Sequence, residues 1–163
     1  MSEENNVLNI KLKEEVESLQ CDDVLIEEID EMLKLAEKMI TTSVNSGGVG
    51  LSGPQVGVNK KIIVWEHKPQ IYQVAFNPRC YPTGKAVNAI EGCLSYPDEH
   101  YYVKRAKKIR AVYQTISEDR QSFKEISRDV SGEEAIILQH EISHVNHKNE
   151  GVGKTIAETG KKL

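Results

Sequence analysis

Apolar residues recur along this chain in two periods, one helical and one alternating. Between Val24 and Ile40, the residues Ile26, Ile29, Leu33, Ala36 and Ile40 return at three- and four-residue steps. That spacing predicts a helix over 24–40 with one buried face, and Asp22 or Asp23 stands where a cap is expected. The period breaks over Thr41–Ser46, and Gly47, Gly48, Gly50, Gly53, Pro54 and Gly57 then crowd into an ordered loop. Lys61–Glu66 and Ile71–Asn77 read as strands joined by a turn at His67-Lys-Pro-Gln70, the second ending at Asn77-Pro78. Turn-forming residues between Tyr81 and Pro97 surround Glu91-Gly-Cys-Leu-Ser95, which is either a short strand or a loop held against a sheet. Ile109–Gln114 and Ser122–Val130, joined through Ser117-Glu-Asp-Arg120, form a hairpin pattern.

The last strong element opens with Ser131-Gly-Glu-Glu134, the spacing of a capping box, in which a serine hydroxyl and a glutamate close the first helical turn. Ala135, Ile136, Ile137, Leu138, Ile142 and Val145 make that helix apolar enough to lie against a sheet, with Asn149 or Gly151 available to end it. Residues 153–163 are polar enough to fray or to form a short appendage.

Composition narrows the function classes. A chain of 163 residues suits a single domain over 1–163, and 39% hydrophobic with 28% charged residues can bury a core unaided. The net charge of −4 and a pI near 5.8 provide no broad cationic field for a nucleic acid. The basic run Lys104–Arg110 sits among Tyr101, Tyr102, Ile109 and Val112, which read as strand and core. The acidic, polar start lacks a secretory or transit pattern, and no stretch approaches the ~20 apolar residues of a membrane span. Cys21, Cys80 and Cys93 form neither a disulfide framework nor a four-cysteine zinc site, and they suit a reducing cytoplasm.

Chemistry concentrates in His140-Glu-Ile-Ser-His144. Four helical residues advance about 400°, so both imidazoles share one face and can bind one metal ion, while Glu141 lies about 100° aside, near a metal-bound water. Such a site needs a third protein ligand and an open position. His147 would sit about 10 Å from His140 along the axis, too far for one ion. Cys93, whose thiolate binds such metals well, is the strongest upstream candidate.

Gly48-Val-Gly-Leu-Ser-Gly-Pro-Gln55, Glu91-Gly-Cys-Leu-Ser95 and Gln139-His-Glu-Ile-Ser-His144 together resemble, in order and spacing, the three motifs of the peptide deformylase family. The resemblance implies an α+β fold with mixed or antiparallel sheets around a buried metal-binding helix. It implies that Cys93, His140 and His144 hold the metal, that Glu141 is general base and acid, and that Gln55 and the backbone N–H of Leu94 donate to the formyl oxygen. Gly48, Val49 and Gly50 would form the edge along which the peptide lies, with Val49, Ile136 and Ile137 lining the methionine pocket. The implied cofactor is Fe²⁺, although the same donors accept Zn²⁺, Ni²⁺ or Co²⁺. The implied substrate is an N-formylmethionyl peptide on nascent, ribosome-associated chains, processed by a monomer.

Several positions depart from the family pattern. Ser52 and Gly53 replace two alanines, Ser143 an aspartate and His147 a glycine, and His100 stands where bacterial members commonly have a substrate-holding arginine. With the aspartate gone, Arg105 is expected to pair with Glu91. Two rival readings remain at this level: a zinc endopeptidase, which shares His-Glu-x-x-His, and a deformylase-like module without activity.

Overall fold

A computed structural model describes residues 7–11, 21–146 and 161–162, with only the backbone described at 96–98 and 161–162. After a 3₁₀ turn at Ile26–Glu28 come helix α1 (Ile29–Asn45), strand β1 (Gly50–Ser52) and a 3₁₀ turn at Gly53–Val56. Strands β2 (Ile62–Lys68), β3 (Ile71–Pro82), β4 (Ala86–Cys93), β5 (Tyr96–Ala106), β6 (Lys108–Ile116) and β7 (Phe123–Ser131) lead to helix α2 (Gly132–Val145), and Lys161–Lys162 form β8. One sheet has the order β1-β2-β3-β6-β7 and the other β4-β5-β8, and every pairing between these strands is antiparallel.

The larger sheet is covered on both faces. Ile62, Ile63, Val64 and Trp65 of β2 are all fully buried. Because successive side chains point to opposite faces, Ile62 and Val64 pack with Ile29, Met32, Ala36 and Met39 of α1. Ile63 and Trp65 pack with Ala135, Leu138, Ile142 and Val145 of α2. Each of the larger aliphatic side chains among these contributes about 1.5–3 kcal/mol, so α2 is pinned to the sheet along its whole length.

The helix expected over 24–40 is displaced. Neither Asp22 nor Asp23 caps it; the Glu28 carboxylate accepts from the Leu25 N–H instead (3.0 Å). The helix also runs through Thr41–Asn45, where Thr41 and Thr42 donate their hydroxyls to the carbonyls of Glu37 and Lys38 and so stay compatible with helix. Its buried stripe is Ile29, Met32, Ala36, Met39 and Ser43, while Leu33 and Ile40 are half-buried. Both stripes are apolar, and contact with β2 selects the one carrying the methionines.

Asn77-Pro78 does not end β3. The pairing shifts register between Phe76 and Arg79, and Asn77 takes a positive φ of 51°. Its side chain bonds both the N–H and the C=O of Val24 (2.7 and 3.0 Å). Proline, which has no N–H to contribute to a ladder, is tolerated at such a bulge. The segment left open between strand and loop is a full strand, β4, with Leu94-Ser95 as its turn into β5.

The capping box at Ser131 does not form, since Ser131 makes no side-chain cap bond. Glu134 instead accepts from Trp65 Nε1 (2.9 Å), bonds His67 Nδ1 (2.6 Å) and pairs with Arg128 (2.9 Å). Charge-assisted bonds of this kind outweigh one neutral backbone contact. Helix α2 ends at Val145, ahead of the expected Asn149 or Gly151, because Asn146 leaves the helical conformation (φ −135°, ψ 71°); residues 147–160, His147 among them, lie outside the described residues. Of the polar tail, Lys161–Lys162 pair with Tyr101 and Tyr102. Among the described residues, no helix is long and apolar enough to cross a membrane.

Candidate metal centre and active site

Helix α2 brings its imidazoles to one face as the four-residue spacing requires. The two Nε2 atoms lie 3.3 Å apart, and the His144 Nε2 is 3.6 Å from the Cys93 sulfur at the end of β4. The ligand atoms of Cys93, His140 and His144 all fall within 4.8 Å of one another. One soft sulfur and two imidazole nitrogens form a donor set suited to zinc, iron, nickel or cobalt.

What orients this set is a buried ion pair. Arg105, on β5, is 1% exposed and donates from Nε and Nη2 to the two oxygens of Glu91 on β4 (2.8 and 2.9 Å). The pairing expected of Arg105 is therefore present, and Ser143 is satisfied within its own helix by donating to the His140 carbonyl (2.6 Å). Glu91 also bonds His140 Nδ1 at 2.7 Å, turning His140 Nε2 toward Cys93 and His144. A carboxylate behind a ligating histidine is the usual second contact of such sites. Burial pushes the Glu91 carboxyl up, but Arg105 and His140 outweigh it and hold it at about 2. Burial likewise lowers His140, but the neighbouring Cys93 and Glu91 overcome this and raise it to about 10. The space between Cys93 and Glu91 therefore favours a positive charge.

Glu141 is 3% exposed, and its Oε1 is the buried side-chain oxygen without a hydrogen-bond partner among the described residues. Such an orphan is costly unless something else is bound beside it. Burial raises its carboxyl to about 7, the value at which a group both accepts and returns protons near neutrality. Gly50 makes room for it, since a Cβ there would stand 2.6 Å from Glu141 Oε2. Gly50→Ala is expected to displace the carboxylate and lower turnover by about 100-fold, with unchanged metal content separating this from ligand loss.

Gln55 is aimed by Ser52, whose N–H and hydroxyl both donate to its Oε1 (3.0 Å each). Its amide NH₂ consequently faces Cys93 Sγ (3.4 Å) and Ser95 Oγ (3.2 Å). Ser52 thus adds an orienting hydroxyl, and Gly53 admits no Cβ, which would lie 2.6 Å from the Lys60 carbonyl.

Gly48, Val49, Gly50, Gln55, Cys93, Leu94, His100, Ile136, Ile137, His140 and Glu141 all line one cavity of about 960 Å³; His144 stands behind its wall at 2% exposure. Val49 accepts from the Glu66 N–H (2.8 Å), and hydrogen-bonding residues alternate along an antiparallel pair. Gly50 therefore turns its own N–H and C=O away from β2, on the edge strand of the sheet. Tyr72, not singled out in the sequence, fixes this edge by donating to the Gly48 carbonyl (2.8 Å). Glu91 as the partner of His140, and Ser95, were also invisible there, since both depend on contacts across distant segments.

Residues 9–149 match the family described as polypeptide deformylase. The chain belongs to that family. It is 37% identical over 134 residues to a peptide deformylase of Desulfotalea psychrophila, covering 78% of this chain and 76% of that protein. It is 38% identical over 120 residues to one of Thermodesulfovibrio yellowstonii, covering 71% and 70%. A class I type b peptide deformylase of Acinetobacter baumannii has the same fold, with a TM-score of 0.80 and 28% identity over 94% of this chain and 98% of that one. A crystal structure of that enzyme with Met-Ala-Ser bound aligns with a TM-score of 0.78 at 27% identity, covering 94% and 98%. Deformylases are enzymes that remove N-formyl groups, and the α+β architecture expected from the motifs is the one found.

Proposed function

We propose that this chain hydrolyses the formyl group from N-formylmethionyl peptides. One observation carries the reading: Cys93, His140 and His144 converge beside a buried glutamate whose Oε1 has no hydrogen-bond partner among the described residues, at the end of a cavity bounded by a strand edge that no other described strand pairs with.

The residues fit a divalent cation held by Cys93, His140 and His144, which when bound supplies the Lewis acidity that makes a water nucleophilic near neutral pH. Ferrous iron is the expected metal, and zinc, nickel and cobalt suit the same donors. The peptide lies along Gly48-Val49-Gly50, where the outward N–H and C=O of Gly50 hold its main chain and make binding tolerant of sequence. Gln55 Nε2 and the Leu94 N–H donate to the formyl oxygen as negative charge develops on it, a role worth several kcal/mol. Glu141 takes a proton from the attacking water and returns it to the amine that leaves as the C–N bond breaks. Formate and a free amino terminus result. Val49, Ile136 and Ile137 contact the first side chain, and His100, opposite Gly92 on β5, borders the peptide path. A reducing cytoplasm would keep Cys93 from oxidising and leave its sulfur available to the metal.

Protein loaded anaerobically with iron or nickel is expected to release formate from formyl-Met-Ala-Ser and to leave casein intact. Metal-loaded protein that releases none would reduce the chain to a non-catalytic module, and casein cleavage would make it an endopeptidase. Cys93→Ala is expected to lose most of its metal after dialysis, read by elemental analysis. Full metal occupancy in that variant would remove Cys93 from the ligand set.

A further inference from the structure

Glu133, Ile136, Ile137 and His140 fall on one helix face, so the cavity wall they form extends about 10 Å along α2 from the metal-ligand cluster. The facing wall is β4, whose inward positions Val87, Ala89, Glu91 and Cys93 alternate with exposed ones. Ala89, 7% exposed, stands midway and contributes only a methyl group. At the far end the same cavity reaches Lys107, Gly132 and Glu133, all exposed, and a Cβ added at Gly132 would meet nothing within 4 Å. The side chain of methionine spans only about half of a 10 Å passage at ordinary bond lengths.

We propose that the pocket for the first side chain is a channel open at its distal end, kept open by Ala89, and that the chain therefore accepts N-formyl peptides whose first side chain is straight and longer than methionine. This rests on the deformylase reading above. A straight alkyl chain would run between Ala89 and Ile136 and emerge between Lys107 and Glu133, burying more methylene groups than methionine does.

The test uses formyl-peptides X-Ala-Ser in which X is methionine, norleucine or α-aminodecanoic acid, together with the same peptides lacking formyl. The metal-loaded protein should show kcat/KM for the aminodecanoic substrate no more than about threefold below methionine, and calorimetry should show its unformylated peptide binding about tenfold tighter than Met-Ala-Ser. Ala89→Leu should lower the long-to-methionine ratio by about tenfold, a change expected when the room for methylenes is removed. Methionine turned over with the long substrate about thirtyfold poorer, or an unchanged ratio in Ala89→Leu, overturns the open channel. Tighter binding of the long peptide without deformylation of any substrate keeps the channel and overturns the deformylase reading instead.

Discussion

Glu141→Ala is expected to cut formate release by about 10²–10⁴-fold while the protein keeps its metal. The geometry makes the two effects separable. Glu141 neighbours His140 in sequence but is not one of the three clustered donors, so its removal leaves the sulfur and both Nε2 atoms in place. What disappears is the carboxylate oxygen that lacks a hydrogen-bond partner among the described residues and whose carboxyl burial raises to about 7. Formate assays with elemental analysis check both halves. Loss of metal in parallel with turnover would make Glu141 part of the metal-holding structure and leave proton transfer unassigned.

Glu91→Ala is expected to cost about 3–5 kcal/mol of stability, because it strands a buried guanidinium. It should also weaken metal binding about 10–100-fold, because His140 loses the carboxylate that orients it. Urea unfolding of the metal-free protein and chelator competition measure the two effects. The double replacement Glu91→Leu with Arg105→Met separates them. It should recover most of the stability, since no charge is left unpaired, but not the metal affinity. Recovery of affinity as well would remove Glu91 from any role at His140.

The pH dependence follows from the sign of the shift. Burial raises the Glu91 carboxyl, yet Arg105 and His140 hold it at about 2, below its ordinary value of 4.5. Its contribution to stability is therefore complete above the unfolded value and is lost as pH falls through that interval. The metal-free wild type should consequently lose more melting temperature between pH 4.5 and pH 2 than the double variant does. Equal losses would mean that Glu91 carries no such linkage.

Local patterns carried much of this protein. The helix face bearing His140 and His144 follows from a spacing of four residues, and β2 from an unbroken run of four apolar residues buried on both sides. The three motifs together identified the family and its fold. In two places where the pattern misled, a distant partner had intervened. Asn77-Pro78 resembles a strand end, but the Asn77 side chain holds the backbone of Val24 and turns the break into a bulge. Ser131 and Glu134 have capping-box spacing, but Trp65, His67 and Arg128 claim the glutamate. The threonines after Ile40 look like a helix end, yet their hydroxyls bond back within α1.

The sequence by itself determined the residue types, the helical pairing of the two imidazoles and the order of the motifs, all set by neighbours a few positions away. Only the tertiary structure decided that Cys93, 51 positions from His144, comes within 3.6 Å of it, that Arg105 and Glu91 stand behind His140, and that Glu141 Oε1 is left without a hydrogen-bond partner among the described residues. Helical periodicity is a property of one segment. Ligand convergence and desolvation come from packing β4, β5 and α2 together, and no local pattern encodes those distances.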